Sequence, residues 1–460
     1  MAESDGSGGR RPAGERDWTK GSIIGNLLRL SWPMMVSSSL NMLGPTIDMI
    51  WVGKLGTASI AGVGVAGTAV MLVNSAMMGF VVGARAIVAR FIGAGDTAGA
   101  NHGARQAFII SAAFSVVLAS IGIFFADSIL ILMGVEPEVV TEGAAYLRVM
   151  FLGSLAMAFR MTTEGIMQAS GDSMTPMKIS VTFRLFHVLL CPFFVFGWFI
   201  FPRLGVSGAA TTNVISQSLG MALGLWFLFS GRTRIRLSMK NVRLDAGMIW
   251  RIVKIGIPAS FTGMGRSLGH FALMWIMVPF GTLAVAAHSL CQRVEVQLFF
   301  PIMGLGIGAG VLAGQNLGAG QPGRAERSAW LAVGLGQGFM FICSVVILLW
   351  AEKVVNLFNT DPALVELGSV FLRIAVAGYL LLGLNAVLSQ GLSGVGDTVP
   401  PMLATILTIW VVQIPLSVLL PRVTNLGVYG VRWAIVAGVV AGAIAYLIYF
   451  RMGRWKRKKV

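Results

Sequence analysis

Residues Gly79–Asp96 and Gly304–Gln321 carry one pattern twice, GFVVGARAIVARFIGAGD and GLGIGAGVLAGQNLGAGQ, 225 positions apart. The same offset sets Pro33 on Pro258, Pro137 on Pro362, Gly171-Asp172 on Gly396-Asp397 and Pro176 on Pro401. Nearer the ends the register slips by three, with Leu204-Gly205-Val206 on Leu426-Gly427-Val428. Agreement at one offset across most of a half marks a duplicated chain, so the fold is built from two like units.

What those units are follows from composition. Hydrophobic residues are 56% of the chain and charged residues 12%, whereas a soluble domain carries about 25% charged residues. The mean hydropathy is +0.79. Apolar runs of about 20 residues, enough to cross a bilayer core, recur along the whole length and lack the alternation of a barrel strand. The sequence therefore predicts an all-α polytopic membrane protein of twelve transmembrane helices in two pseudo-symmetric six-helix lobes. The expected layout is a disordered cytoplasmic tail over 1–26, an N-lobe over 27–230, a basic linker over 231–248, a C-lobe over 249–450 and a basic tail over 451–460.

An even number of spans gives both halves the same orientation, so they are related by an axis along the membrane normal and face a cavity between two bundles. The net charge of +16 concentrates in the linker, at Arg232, Arg234, Arg236 and Arg243, and at the end, from Arg451 to Lys459. Such juxtamembrane clusters mark the cytoplasmic side and touch anionic lipid. Both termini are expected in the cytoplasm of a prokaryotic inner membrane, with membrane lipids rather than nucleic acid as neighbours and a monomer as the working unit. Cys191, Cys291 and Cys343 show no CxxC or Cys/His spacing, so neither a disulfide framework nor a metal centre is expected. No HExxH pattern and no P-loop occurs, which sets aside an intramembrane protease and an ATP-driven pump.

Polar residues inside apolar spans then carry the functional reading, because each is costly there. Asp48, in the first span, costs about 2.5–3.5 kcal/mol to insert and is the first ion-coupling candidate, against a carboxylate hydrated at a helix end or paired with Lys54. Glu164 and Glu295 are the others. Glu164 has Arg160 four residues before it on the same face, so an internal ion pair competes with a cavity role. Arg184 with His187, and Arg266 with His270, share helix faces and are candidates for the substrate cavity, together with Asn385, Gln390, Met34, Met35 and Met42. Basic groups at these depths serve an anionic substrate or pair with the acids, and histidine can carry a proton.

The stretches GARAIVARFIGAGD and AAHSLCQRVEVQLFFPIMGLGIGAGVLAGQNLGAG, with the pair GDSMTPM and GDTVPPM, resemble the multidrug and toxic compound extrusion (MATE) transporters. The likeness runs from about Leu27 to about Tyr449 and is nearer to the prokaryotic, DinF-like branch than to the eukaryotic one. It implies two lobes rocking about a central cavity and export of cationic or amphipathic compounds by antiport with H⁺ or Na⁺, without other cofactors and without enzymatic activity. The segment Thr46–Gly56 resembles the first-helix pattern whose Asp is assigned to cation coupling, which makes Asp48 the position for Na⁺ or a proton. Two departures stand out. His187 and Cys191 occupy positions where the DinF-like branch often has Asn and Asp, and Arg266 follows Pro258 where the NorM-like and eukaryotic branches carry an acid. An exporter or flippase of a lipid-linked or amphipathic anion is the competing expectation.

Overall fold

The computed structural model describes residues 17–132, 134, 137–237, 243–458 and 460; residues 1–16 of the expected tail and 238–242 of the expected linker lie outside them. Twelve helical spans follow one another in two sets of six. The first set comprises α1 (Ile23–Val52), α2 (Thr57–Gly93), α3 (Thr97–Leu132), the pair α4 (Pro137–Leu152) and α5 (Ser154–Ser170), α6 (Met174–Phe196) and α7 (Val206–Phe229). The second comprises α8 (Ala246–Met277), α9 (Thr282–Gly318), α10 (Pro322–Asn356), α11 (Pro362–Gly394), the pair α12 (Val399–Thr405) and α13 (Ile414–Val423), and α14 (Val428–Met452). Helices α4 and α5 meet at a 50° bend at Gly153. A π-helical stretch, Ile406–Gln413, joins α12 to α13; such wide turns leave carbonyls unpaired and recur at functional sites.

Local chemistry sets the ends. Helix α1 starts at Ile23, inside the stretch expected as tail, because the Ser22 hydroxyl accepts from the Gly25 amide as an N-cap. Asp245 caps α8 through Met248 N and also meets His102 Nε2 at 2.8 Å; the His102 contact holds its carboxyl below the ordinary carboxylate value. Gly171 and Gly396, the repeated turn glycines, both end helices with positive φ, +95° and +88°, a conformation other residues resist.

The two lobes meet through α1 and α2 on one side and α8 and α9 on the other, and the repeat explains how. A Cβ built on Gly79 would fall 2.5 Å from the Gly256 carbonyl oxygen, and one on Gly304 would fall 2.5 Å from Met35 Cα. Gly93 faces the Gln315 carbonyl at 2.0 Å in the same test, and Gly318 faces the Arg90 carbonyl at 2.2 Å. Each second member sits 225 positions from its counterpart, so the seam is a pseudo-two-fold crossing in which small residues bring backbones together. The Gly93 and Gly318 contacts lie at the helix ends near both ends of the described chain. There Arg324 donates to Gly21 O at 2.7 Å and Arg90 to Lys458 O at 3.0 Å. At the opposite end Gly64 and Gly67 of α2 face open space.

The last residues are not a free basic tail. Trp455 is buried against Phe450 with ring centroids 4.8 Å apart. Lys456 pairs with Glu326 at 2.7 Å and Lys458 with Asp397 at 3.1 Å. Two of the tail's cations thus find protein carboxylates, a partner the expectation of lipid contact left out.

Candidate functional site

Asp48 lies on α1 less than two turns from its end and is fully buried, which excludes a hydrated carboxylate. Lys54 is not its partner; that ammonium sits 4.7 Å from the Trp51 ring centroid. Three other helices close over the acid. Tyr146 of α4 donates its hydroxyl to Asp48 Oδ2 at 3.1 Å and Asn213 of α7 donates to the same oxygen at 3.4 Å. His187 Nε2 of α6 lies 3.0 Å from Oδ1, outside hydrogen-bond geometry, so Oδ1 has no aligned donor among the described residues.

The histidine's other nitrogen fixes its protonation. Arg184 Nη1 is 3.1 Å from His187 Nδ1, and a guanidinium can only donate, so Nδ1 accepts and the proton of a neutral ring sits on Nε2, facing Asp48. Gly44 lets this happen: a Cβ there would meet Arg184 Nη1 at 2.6 Å, and the guanidinium crosses that face to reach Asn41 O at 3.2 Å. Arg184 and His187 therefore serve the Asp48 cluster. Cys191, one turn beyond His187, completes a buried group of three potential ligand atoms within 4.8 Å of one another. The i, i+4 spacing of His187 and Cys191 was the available signal for that cluster. Tyr146 and Asn213 gave none, being ordinary residues of other spans.

Glu164 has the bland arrangement: Arg160 Nη1 bonds it at 2.9 Å and Gln168 Nε2 at 3.1 Å, while Arg160 Nε bonds Gln217. Glu295 is tied to Arg432 of α14, a residue the sequence reading passed over.

A cavity of about 220 Å³ lies inside the second lobe, between α8, α9, α11, the π-helical stretch and α14, rather than on the seam between lobes. Arg266, His270, Asn385 and Glu295 are among the residues that line it. The other expected lining residues pack elsewhere. Met34 is fully buried in the hydrophobic core, Met35 packs half-buried against it, and Gln390 fills the surface left by Gly306; the side chain of Met42 lies outside the described residues. Gly265–Gly269 spells GxSxG, but it lies mid-helix with Ser267 donating to Gly263 O at 3.2 Å, which is no strand-to-helix elbow.

Two lobes of six spans, a buried carboxylate in one and a cavity with arginine and histidine in its wall in the other, define a membrane transporter of the duplicated, two-bundle kind. The MatE family matches the chain twice, over residues 33–193 and 258–419, and the chain belongs to that family. A Deinococcus radiodurans relative, "Probable multidrug resistance protein NorM", is 29% identical over 93% of this chain and 96% of its own. A Thermotoga maritima protein of the same description is 24% identical over 94% and 93%. Among solved structures, the outward-facing conformation of a multidrug resistance MATE family transporter superposes with a TM-score of 0.90 at 25% identity, covering 96% of this chain and 98% of that one.

Proposed function

We propose that the chain exports amphipathic organic compounds, cationic ones among them, across a prokaryotic inner membrane by proton antiport and alternating access, as a monomer with both termini cytoplasmic. The relatives' names point to multidrug resistance, and the observation that carries the coupling is the environment of Asp48. Its Oδ1 has no aligned donor, and Arg184 occupies the only nitrogen on which His187 could take a second proton. An incoming proton is thereby directed to Asp48. Sodium fits less well: hard cations prefer a shell of oxygen ligands, and two of the groups gathered at the carboxylate, His187 and Cys191, offer an imidazole nitrogen and a thiol instead.

Alternating access draws on the seam. Backbone-to-backbone contacts through glycine close one end, and such flat packing can part as the lobes rock without dismantling either core. With the termini in the cytoplasm, the closed end is the cytoplasmic one. Protonation of Asp48 would neutralise the acid, weaken its hold on Tyr146 and Asn213, and shift α1 against α4, α6 and α7.

The test is dye efflux in everted vesicles under an imposed ΔpH or Na⁺ gradient, with wild type against Asp48→Asn. Uphill transport driven by ΔpH and lost in the variant is expected. A correctly inserted variant that still exports uphill, or transport driven by Na⁺ alone, would sink the proton-coupling reading.

A further inference from the structure

We propose that the cavity inside the second lobe recognises the acidic group of an amphipathic ligand, a sulfonate, carboxylate or phosphate, beside a small apolar ring. This rests on reading the cavity as a substrate site. The first observation is charge. Arg266 lines the cavity with no carboxylate partner among the described residues, its guanidinium 5.1 Å from the Phe299 ring centroid. The acid that lines the cavity, Glu295, is bound to Arg432, so the lining retains one uncompensated cation.

The second observation is the surplus of unused donors. His288 is 2% exposed and Tyr379 is 2% exposed; both line the cavity, and neither the His288 Nε2 nor the Tyr379 hydroxyl has a partner among the described residues. Arg432 Nη1 donates towards His288 Nδ1 at 3.5 Å, which puts the ring's proton on Nε2, and Arg432 Nε is itself unpartnered. Likewise Gln292 Nε2 donates to His270 Nδ1 at 2.7 Å, leaving the proton of that ring on Nε2. Buried donors left unpaired are costly, and an anion is the ligand that satisfies several at once. A cation would meet Arg266 and Arg432 with no free carboxylate.

Size narrows the ligand. The 220 Å³ volume falls below the roughly 300–1,000 Å³ of a pocket that encloses a drug-sized molecule, so it takes one end of a ligand. Leu273, Val296 and Phe299 supply the apolar wall for a ring.

The experiment is calorimetry on the full chain in nanodiscs of zwitterionic lipid, with empty nanodiscs as blank. The probes are naphthalene sulfonate and a naphthylmethyl trimethylammonium of the same ring. No gradient is applied, so the outcome is independent of whether Asp48 couples transport. At least tenfold tighter binding of the sulfonate by wild type is expected; equal or tighter binding of the ammonium overturns the proposal. Arg266→Gln should weaken the sulfonate tenfold or more and spare the ammonium, whereas Arg266→Lys should stay within about threefold. An Arg266→Gln protein that elutes as a monodisperse peak and binds the sulfonate like wild type also overturns it. Repeating wild type in phosphatidylglycerol nanodiscs separates sources. Unchanged affinity assigns the site to a soluble acid, and a tenfold loss assigns it to a lipid headgroup, the anion site standing in both cases.

Discussion

The two lobes share one helical plan and differ in what they bury. In the first, Asp48 is closed in by Tyr146, His187 and Asn213, and Arg184 balances its charge. In the second, the positions 225 residues on are Leu273 and Phe371 in place of Asp48 and Tyr146. The Arg432 guanidinium lies 5.6 Å from the Phe371 ring centroid, and a cavity with surplus cationic character takes the place of a sealed carboxylate cluster. The glycines that set the helix crossings repeat, Gly79 with Gly304 and Gly93 with Gly318, while the interior polar residues do not. Backbone approach at the seam tolerates no side chain, whereas a lobe interior accepts any set of groups that satisfy one another. Symmetry of fold therefore says nothing about symmetry of chemistry, and each lobe has to be read from its own side chains.

The most severe way to break this comparison is to neutralise the acid of each lobe in turn. Asp48→Asn should cut uphill efflux at least a hundredfold, because the proton-accepting atom is gone. Glu295→Gln keeps an acceptor for Arg432 and should cost less than tenfold. Vesicle efflux scaled to inserted protein measures both, and equal losses would mean that the lobes share the coupling.

A second change carries the first lobe's chemistry into the other. Leu273 is 2% exposed and lines the cavity, so Leu273→Asp places a carboxylate beside the arginines at the repeat position of Asp48. It cancels the surplus charge and should erase the tenfold sulfonate preference, with a lower melting temperature from the buried acid. Leu273→Asn, of like size and uncharged, should keep the preference. Loss of preference in both variants would assign the effect to shape instead of charge.

The duplication, the membrane class and the two six-helix lobes were legible in the sequence because glycine spacing and apolar length are local properties. Asp48, Arg266, His270 and Glu295 were legible for a related reason, since a charged or titratable group in an apolar span is conspicuous wherever it faces. Their partners were not. Arg432 pairs with Glu295 across 137 residues and Asn213 reaches Asp48 across 165, and no periodicity within one helix reports which neighbour it will meet. The surroundings of Met34 and Gln390 were hidden for the same reason: helical spacing gives the face, and only packing tells whether that face looks at a cavity or at another helix.

A third change tests the ligand chemistry of the first lobe. The double variant His187→Asn and Cys191→Asp replaces an imidazole and a thiol with oxygen ligands. Hard cations favour such a shell, so efflux should become several-fold faster with Na⁺ in the lumen, where wild type is indifferent. An Na⁺ response of equal size in wild type would show that the soft ligands do not exclude the ion.

The smallest expected effect concerns the phenol over Asp48. Tyr146 is buried and gives its hydroxyl to Oδ2, leaving Asn213 at 3.4 Å as the weaker second donor to that oxygen. Removing a hydrogen bond of this kind costs about 1 kcal/mol, roughly a fivefold change in an equilibrium at room temperature. Tyr146→Phe keeps the ring and leaves no void, so the change falls on Asp48 and not on the packing of α4. Efflux at neutral pH should fall by about fivefold and recover in part on a steeper imposed ΔpH, because the ionised acid has lost a partner while the protonated form has lost less. Phe371→Tyr, the reciprocal exchange in the second lobe, should leave efflux unchanged within twofold, since Leu273 offers that hydroxyl no acceptor. If both exchanges had equal consequences, the hydroxyl would be acting through helix packing common to the two lobes, and the distinct role of Asp48 would need another explanation.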